Sequence, residues 1–226
     1  MITIAIISQK GGAGKTTLAI NLAVASELAR RSAVLIDLDP QASATNWHDH
    51  RGKDAPAVIS AQASRLPEVL ATARAHNVRL AIIDTAPHSE NAALAAARAA
   101  DLILIPCRAA ILDIRAIATS ADLVTIAKKQ AVAVLNAVPP RGSLADEAEQ
   151  ALKTYGLSVA PVRVGQRTAF IHAITAAMGI MEYEPHGKAA EEIKALYMWI
   201  CEQVDMSTRK HDDMPTRKQE RTAVSA

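Results

Sequence analysis

Short, almost unbroken apolar runs alternate along the chain with longer stretches in which apolar residues recur every three or four positions. The runs are Ile2–Ser8, Ala33–Asp37, Ala57–Ser60, Leu80–Asp84, Leu102–Pro106, Ala131–Asn136 and Leu157–Val164. Strands buried on both faces read this way, because neither face needs polar residues. The helical patterns between them cover Lys15–Arg30, Ser43–His50, Leu66–His76, Ser89–Ala99, Ile111–Lys128 and Leu144–Tyr155. Repeated strand–helix units predict an α/β fold: a single doubly wound, mostly parallel sheet with helices on both faces. Ligands of such a sheet gather beyond the carboxyl ends of its strands.

One more helix is predicted over Gly187–Val204, with Ile193, Leu196, Ile200 and Val204 as its apolar stripe. Beyond Asp205 the apolar residues thin out, and Arg209, Lys210, Arg217, Lys218 and Arg221 mix with acidic residues. The reading is a domain over residues 1–206 followed by a flexible charged tail over 207–226.

Composition narrows the function classes. The chain has 226 residues, half of them apolar, which fits one α/β domain with a substantial core. Only 3% are aromatic, which disfavours a surface that stacks on sugars or bases. A formal net charge of +2 does not argue for nucleic-acid binding without a local basic patch. The two cysteines, Cys107 and Cys201, lie far apart and read as free thiols. Neither a signal peptide nor a membrane-spanning run is apparent, so the cytoplasm is the expected compartment.

The chemistry is concentrated in Gln9-Lys10-Gly11-Gly12-Ala13-Gly14-Lys15-Thr16-Thr17. It follows one apolar run and opens a helical pattern, the context a phosphate-binding loop requires. Glycines let successive backbone N–H groups converge on an anion, and the following helix aims its positive dipole end at the same place. Lys15 is placed to reach the β- and γ-phosphates, and the Thr16 hydroxyl to ligate Mg²⁺. The second run ends in Asp37-Leu38-Asp39-Pro40-Gln41. Its carboxylates at i and i+2 share a face, and beside bound phosphates they repel unless a cation or a water intervenes. Capping of the next helix by Asp39 is the alternative reading.

The loop departs from the standard G-x-x-x-x-G-K-S/T: Gln9 stands where a glycine is needed, and Lys10 precedes Gly11-Gly12. In this it resembles the deviant Walker A motif, K-G-G-x-G-K-S/T, of the ParA/MinD family of P-loop ATPases. Asp37-x-Asp39-Pro40-Gln41 and Leu80-Ala81-Ile82-Ile83-Asp84-Thr85-Ala86-Pro87 are also similar to that family's second motif and Walker B strand. Ser8 and Ala86 are small departures. The resemblance covers roughly residues 1–204 and implies a P-loop NTPase fold, ATP/ADP and Mg²⁺ as cofactors, and an ATP-dependent homodimer.

By that resemblance Gly11, Gly12, Ala13, Gly14, Lys15, Thr16 and Thr17 cradle the nucleotide. Thr16, Asp37 and Asp84 surround Mg²⁺, Asp39 polarises the attacking water, and Lys10 reaches the partner subunit's nucleotide. Asn136, before Val138-Pro139-Pro140, takes the adenine contact, although a turn-forming Asn reads the same way. The chain is most similar to short plasmid-partition ParA proteins, which lack an N-terminal DNA-binding domain. That type implies slow ATP hydrolysis, non-specific double-stranded DNA binding on the bacterial nucleoid, and a ParB-type centromere-binding partner. Arg163, Arg167, Lys188 and Lys194 are the candidate DNA contacts. The alternatives are a MinD-like membrane-associated switch, which the weakly apolar tail fits poorly, and a ParA-like positioner of a protein cargo.

Overall fold

The computed structural model describes the backbone of residues 1–212 and the side chains up to Val204, apart from six positions in the first turns of one helix. Its frame is a seven-stranded sheet in the order β3-β2-β4-β1-β5-β6-β7. The strands are β1 Ile2–Ile6, β2 Ala33–Asp37, β3 Ala57–Ser60, β4 Leu80–Asp84, β5 Leu102–Cys107, β6 Ala131–Leu135 and β7 Ser158–Val159. Every pairing is parallel. Early strands build outward from β1 on one side and later strands on the other. The sheet therefore switches direction at β1, and there the Gly-rich loop leaves the sheet.

Alternation within the apolar runs divides the core in two. Ile4 and Ile6 of β1, Leu35 of β2 and Ile82 of β4 face one cluster, while Ala5, Val34, Ile36 and Ile83 face the other. The first cluster is covered by α1 (Lys15–Leu28), α2 (Ser43–Asp49), α7 (Thr168–Thr175), α8 (Ile180–Tyr183) and α9 (Lys188–Asp212). The second is covered by α3 (Leu66–Ala75), α4 (Glu90–Ala99), α5 (Ile111–Ala127) and α6 (Leu144–Thr154). Truncating a fully buried Ile or Leu here to Ala costs about 2–5 kcal/mol, from lost transfer energy plus the cavity left behind.

The chain departs from the predicted boundaries where local chemistry intervenes. Leu157–Val164 was expected as one strand, but β7 holds only Ser158 and Val159. Pro161 has no N–H to donate to the ladder, although Ala160 and Val164 still donate to Ala133 and Leu135 of the neighbouring segment. Helices α7 and α8 were not anticipated; they are eight and four residues long, too short for a helical period to stand out. The stripe Ile193, Leu196, Ile200 and Val204 is buried as expected. The helix that carries it runs on to Asp212. The rest of the proposed tail, 213–226, lies outside the described residues.

Candidate nucleotide site

The carboxyl ends of β1, β2 and β4 lie side by side. Ile6 is the register partner of Asp84, and Asp84 is that of Asp37. This brings the Gly-rich loop, the Asp37–Gln41 segment and Asp84 to one end of the sheet. Gly14 precedes α1 at φ 89°, a left-handed conformation that glycine adopts without strain. A Cβ at Gly14 would stand 2.1 Å from Asn136 Nδ2. Glycine therefore serves here both for its backbone freedom and for the close approach of a side chain.

Lys15 is buried, and its ammonium donates to the Lys10 carbonyl at 3.4 Å. Burial lowers its pKa, opposed by the negative charges of Asp84 and Asp39. The Thr16 hydroxyl donates to Asp84 Oδ2 at 2.6 Å. The other oxygen, Asp84 Oδ1, is buried without a hydrogen-bond partner. Burial pushes the Asp84 carboxyl up to about 7, with Asp37 and Asp39 adding to the rise and Thr16 and Lys15 opposing it. A buried carboxylate oxygen without a partner, next to a hydroxyl, is an oxygen donor set suited to a hard cation such as Mg²⁺. Thr16 and Asp84 therefore fit the cation that the sequence implies.

Asp37 is differently employed. Its Oδ1 accepts from the Asp39 N–H at 3.0 Å. Its Oδ2 accepts from the N–H groups of Ala44 and Thr45 at 3.0 and 3.1 Å and from the Thr45 hydroxyl at 3.3 Å. Placed among the orphan N–H groups that open α2, the carboxylate caps that helix. Oδ1, with a single donor, keeps a lone pair for the water-mediated place around the cation expected of Asp37. Capping was the alternative reading for Asp39, whose Oδ1 accepts from Gln41 N–H at 2.9 Å in a tight turn. Asp39 is half-buried at the mouth of the site.

Asn136 Nδ2 donates to the Ala13 carbonyl at 2.8 Å, so this side chain buttresses the phosphate loop. It also lines a cavity of about 340 Å³ with Gly12, Gly14, Thr17, Arg108 and Phe170. Lys10 reaches away from the loop to Asp113 on α5, at 2.6 Å. A second cavity of about 640 Å³ lies beside it, lined by Gln9, His88, Ser89 and Glu90.

Of the four candidate DNA contacts, two are already neutralised. Arg163 pairs with Asp146 at 2.7 Å and Glu149 at 2.8 Å, and Arg167 pairs with Glu192. Lys188 and Lys194 are exposed on α9. Four arginines outside the sequence candidates also gather, Arg30, Arg31, Arg74 and Arg79. All four are exposed and line two adjoining cavities of about 350 and 510 Å³ at the amino-terminal edge of the sheet. None has an ion-pair partner among the described residues, and the Arg31 guanidinium donates to the Cys201 sulfur at 3.5 Å. They are scattered between position 30 and position 79, so no local charge run betrayed them.

Known proteins share this fold. Over 211 residues the chain is 33% identical to the maintenance of carboxysome distribution protein A of Gloeobacter kilaueensis, covering 92% of this chain and 95% of that one. The fold matches apo McdA of Cyanthece with a TM-score of 0.71 at 18% identity, over 87% of this chain and 99% of that one. It matches the septum site-determining protein MinD of Pyrococcus horikoshii, solved with Mg-ADP, with a TM-score of 0.71 at 17% identity, over 91% and 98%. Residues 4–178 match the model of the CobQ/CobB/MinD/ParA nucleotide binding domain, and the chain belongs to that family.

Proposed function

We propose that this protein is an ATP-driven positioning switch that distributes a large protein assembly within a bacterial cell. The observation that carries the reading is the Thr16–Asp84 pair under the Gly-rich loop, with the orphaned Asp84 oxygen beside it. In this reading the loop amides and Lys15 hold the phosphates, and Thr16 and Asp84 hold Mg²⁺, which neutralises charge on the β- and γ-oxygens. Asp39 orients the attacking water, and hydrolysis of ATP to ADP and phosphate is slow. Lys10 completes the site of a second copy, so ATP favours the dimer and hydrolysis releases it.

The cargo assignment rests on the carboxysome-distribution relative, which matches nearly end to end. It takes precedence over plasmid partition with a ParB-type partner, for which no structural observation speaks separately. Binding of the ATP dimer to nucleoid DNA provides the track, and an adaptor protein on the cargo stimulates hydrolysis. Stable membrane association is not part of this reading; among the described residues no helix is long and apolar enough to cross a membrane.

The experiment is ATP hydrolysis by the purified protein with and without duplex DNA, together with DNA binding in ATP and in ADP. Weak hydrolysis and ATP-dependent, salt-sensitive DNA binding support the switch. ATP-dependent dimers that ignore DNA overturn the DNA track, and liposome binding then tests the membrane alternative. Imaging the tagged protein with its cargo in cells decides the cargo class: assemblies that cluster on its deletion support protein cargo, whereas plasmid loss alone overturns it.

A further inference from the structure

We infer that Arg108 is an additional phosphate-binding residue of the nucleotide site, supplied by the same chain that supplies the Gly-rich loop. This rests on the reading of that site as an ATP site. The guanidinium lies against the loop: a Cβ on Gly12 would be 3.5 Å from Arg108 Nη2. Pairing of β1 with β5, which sets Ile6 opposite Leu104, delivers the carboxyl end of β5 beside the loop.

The residue has a fixed mount. Its carbonyl accepts from Ala110 N–H at 2.8 Å and from the Cys107 thiol at 3.1 Å, and the Cys107 carbonyl accepts from Asn136 N–H at 2.7 Å. The backbone at the base of the side chain is thus held from three sides while the side chain remains exposed.

Charge bookkeeping points to what the guanidinium is for. Arg108 and Arg167 line the same 340 Å³ cavity. Glu192 neutralises Arg167, whereas Arg108 has no carboxylate partner among the described residues. It stands beside a loop built for an anion, with Lys15 within it and Lys10 leaving it. Two cations, Lys15 and Arg108, face one loop and repel each other until an anion arrives. A planar guanidinium with several donors fits phosphate oxygens well, and such charge-assisted bonds are roughly twice as strong as neutral ones. In this arrangement Lys15 holds the phosphate chain from below and Arg108 closes over it from the exposed side.

The test is nucleotide affinity, read by calorimetry with ATP, ADP and AMP. Arg108→Ala should weaken ADP and ATP binding about ten-fold, leave AMP within two-fold and leave the nucleotide-free melting temperature unchanged. Arg108→Lys should restore part of the loss, and Arg98→Ala, a charge removed from the exposed last turn of α4, should do nothing. Unchanged ADP and ATP affinity in Arg108→Ala overturns the assignment, as does an equal loss for AMP, which would move the residue off the β- and γ-phosphates that the loop is built to hold. Failure of the unaltered protein to bind any of the three overturns the underlying ATP reading instead.

Discussion

Lys10 Nζ lies 2.6 Å from the Asp113 carboxylate of its own chain. In the proposed dimer this lysine must turn to the partner's nucleotide, so the intrachain pair competes with assembly. The Lys10 side chain is 43% exposed and that of Asp113 is 11% exposed. With the lysine left half in water, the pair contributes about 1 kcal/mol, the upper end for surface pairs. The restraint is therefore a light one, small enough for the γ-phosphate of a second subunit to outcompete. Asp113→Ala should free Lys10 and shift ATP-dependent dimerisation to lower protein concentration, by up to about five-fold. Sedimentation equilibrium in ATP measures it, and the shift should vanish in ADP. A variant that dimerises no better than the original would show that Asp113 does not hold Lys10 back.

Asp37 and Asp39 sit two residues apart, yet their substitution should fail in different ways. Removing the Asp37 carboxylate leaves the buried N–H groups of Ala44 and Thr45 without acceptors. Asp37→Ala should lose about 1–3 kcal/mol of stability, read by urea unfolding. Asp39 is half-buried and accepts a single turn hydrogen bond. Asp39→Ala should leave stability within about 0.5 kcal/mol and lower ATP hydrolysis about 100-fold with ATP binding retained. Equal stability losses would undo this division of roles.

The difference between these aspartates marks where sequence reasoning reached its limit. The strands were legible because residues such as Ile4, Ile36 and Ile83 are buried on a sheet covered on both faces, which writes unbroken apolar runs. The phosphate loop was legible because glycines with a following Lys-Thr have few other uses. Which carboxylate caps α2 depends on where that helix begins in space relative to β2, and a D-x-D spacing holds no such information. Arg51 and Glu182 were illegible for the same reason: they meet across 131 positions of chain.

That pair is the most buried ion pair among the described residues. Arg51 donates to both Glu182 oxygens at 2.7 Å, lies 4.8 Å from the centre of the Trp47 ring, and its side chain is 3% exposed. It ties the segment after α2 to α8. Burial opposes ionisation of Glu182, but hydrogen bonds from Arg51, the Gly179 N–H and Lys53 outweigh it and hold the carboxyl at about 2, against an ordinary 4.5. A depressed carboxyl stabilises the fold above its unfolded pKa, and that stabilisation is lost as pH falls through the folded one. Glu182 should therefore contribute fully above about pH 5 and progressively less from there down to about pH 2. Arg51→Ala should cost about 3 kcal/mol at neutral pH, because it leaves the buried Glu182 with the exposed Lys53 as its remaining charge partner. Its deficit relative to the unaltered protein should shrink in urea titrations at acidic pH. A deficit independent of pH would assign the loss to packing on Trp47 instead.

Electrostatics also relocates the proposed DNA contact. A cation already held by carboxylates releases few counterions on binding phosphate, so Arg163 and Arg167 are poor candidates. Arg30, Arg31, Arg74 and Arg79 are exposed, unpaired among the described residues, and gathered at one edge of the sheet. That edge lies opposite the nucleotide, so ATP need not reshape it. Dimerisation alone supplies two such edges per particle, and linked sites can bind 10²–10⁴ times more tightly than single ones. The combined Arg30→Glu, Arg31→Glu and Arg79→Glu variant should lose DNA binding in ATP while keeping nucleotide affinity and basal hydrolysis. Milder Ala substitutions should flatten the dependence of log affinity on log salt by about 0.9 for each phosphate contact removed. Lys188→Ala with Lys194→Ala is the competing arm. If that pair abolishes DNA binding and the arginine changes do not, the contact surface lies on α9 and the arginine edge has another partner.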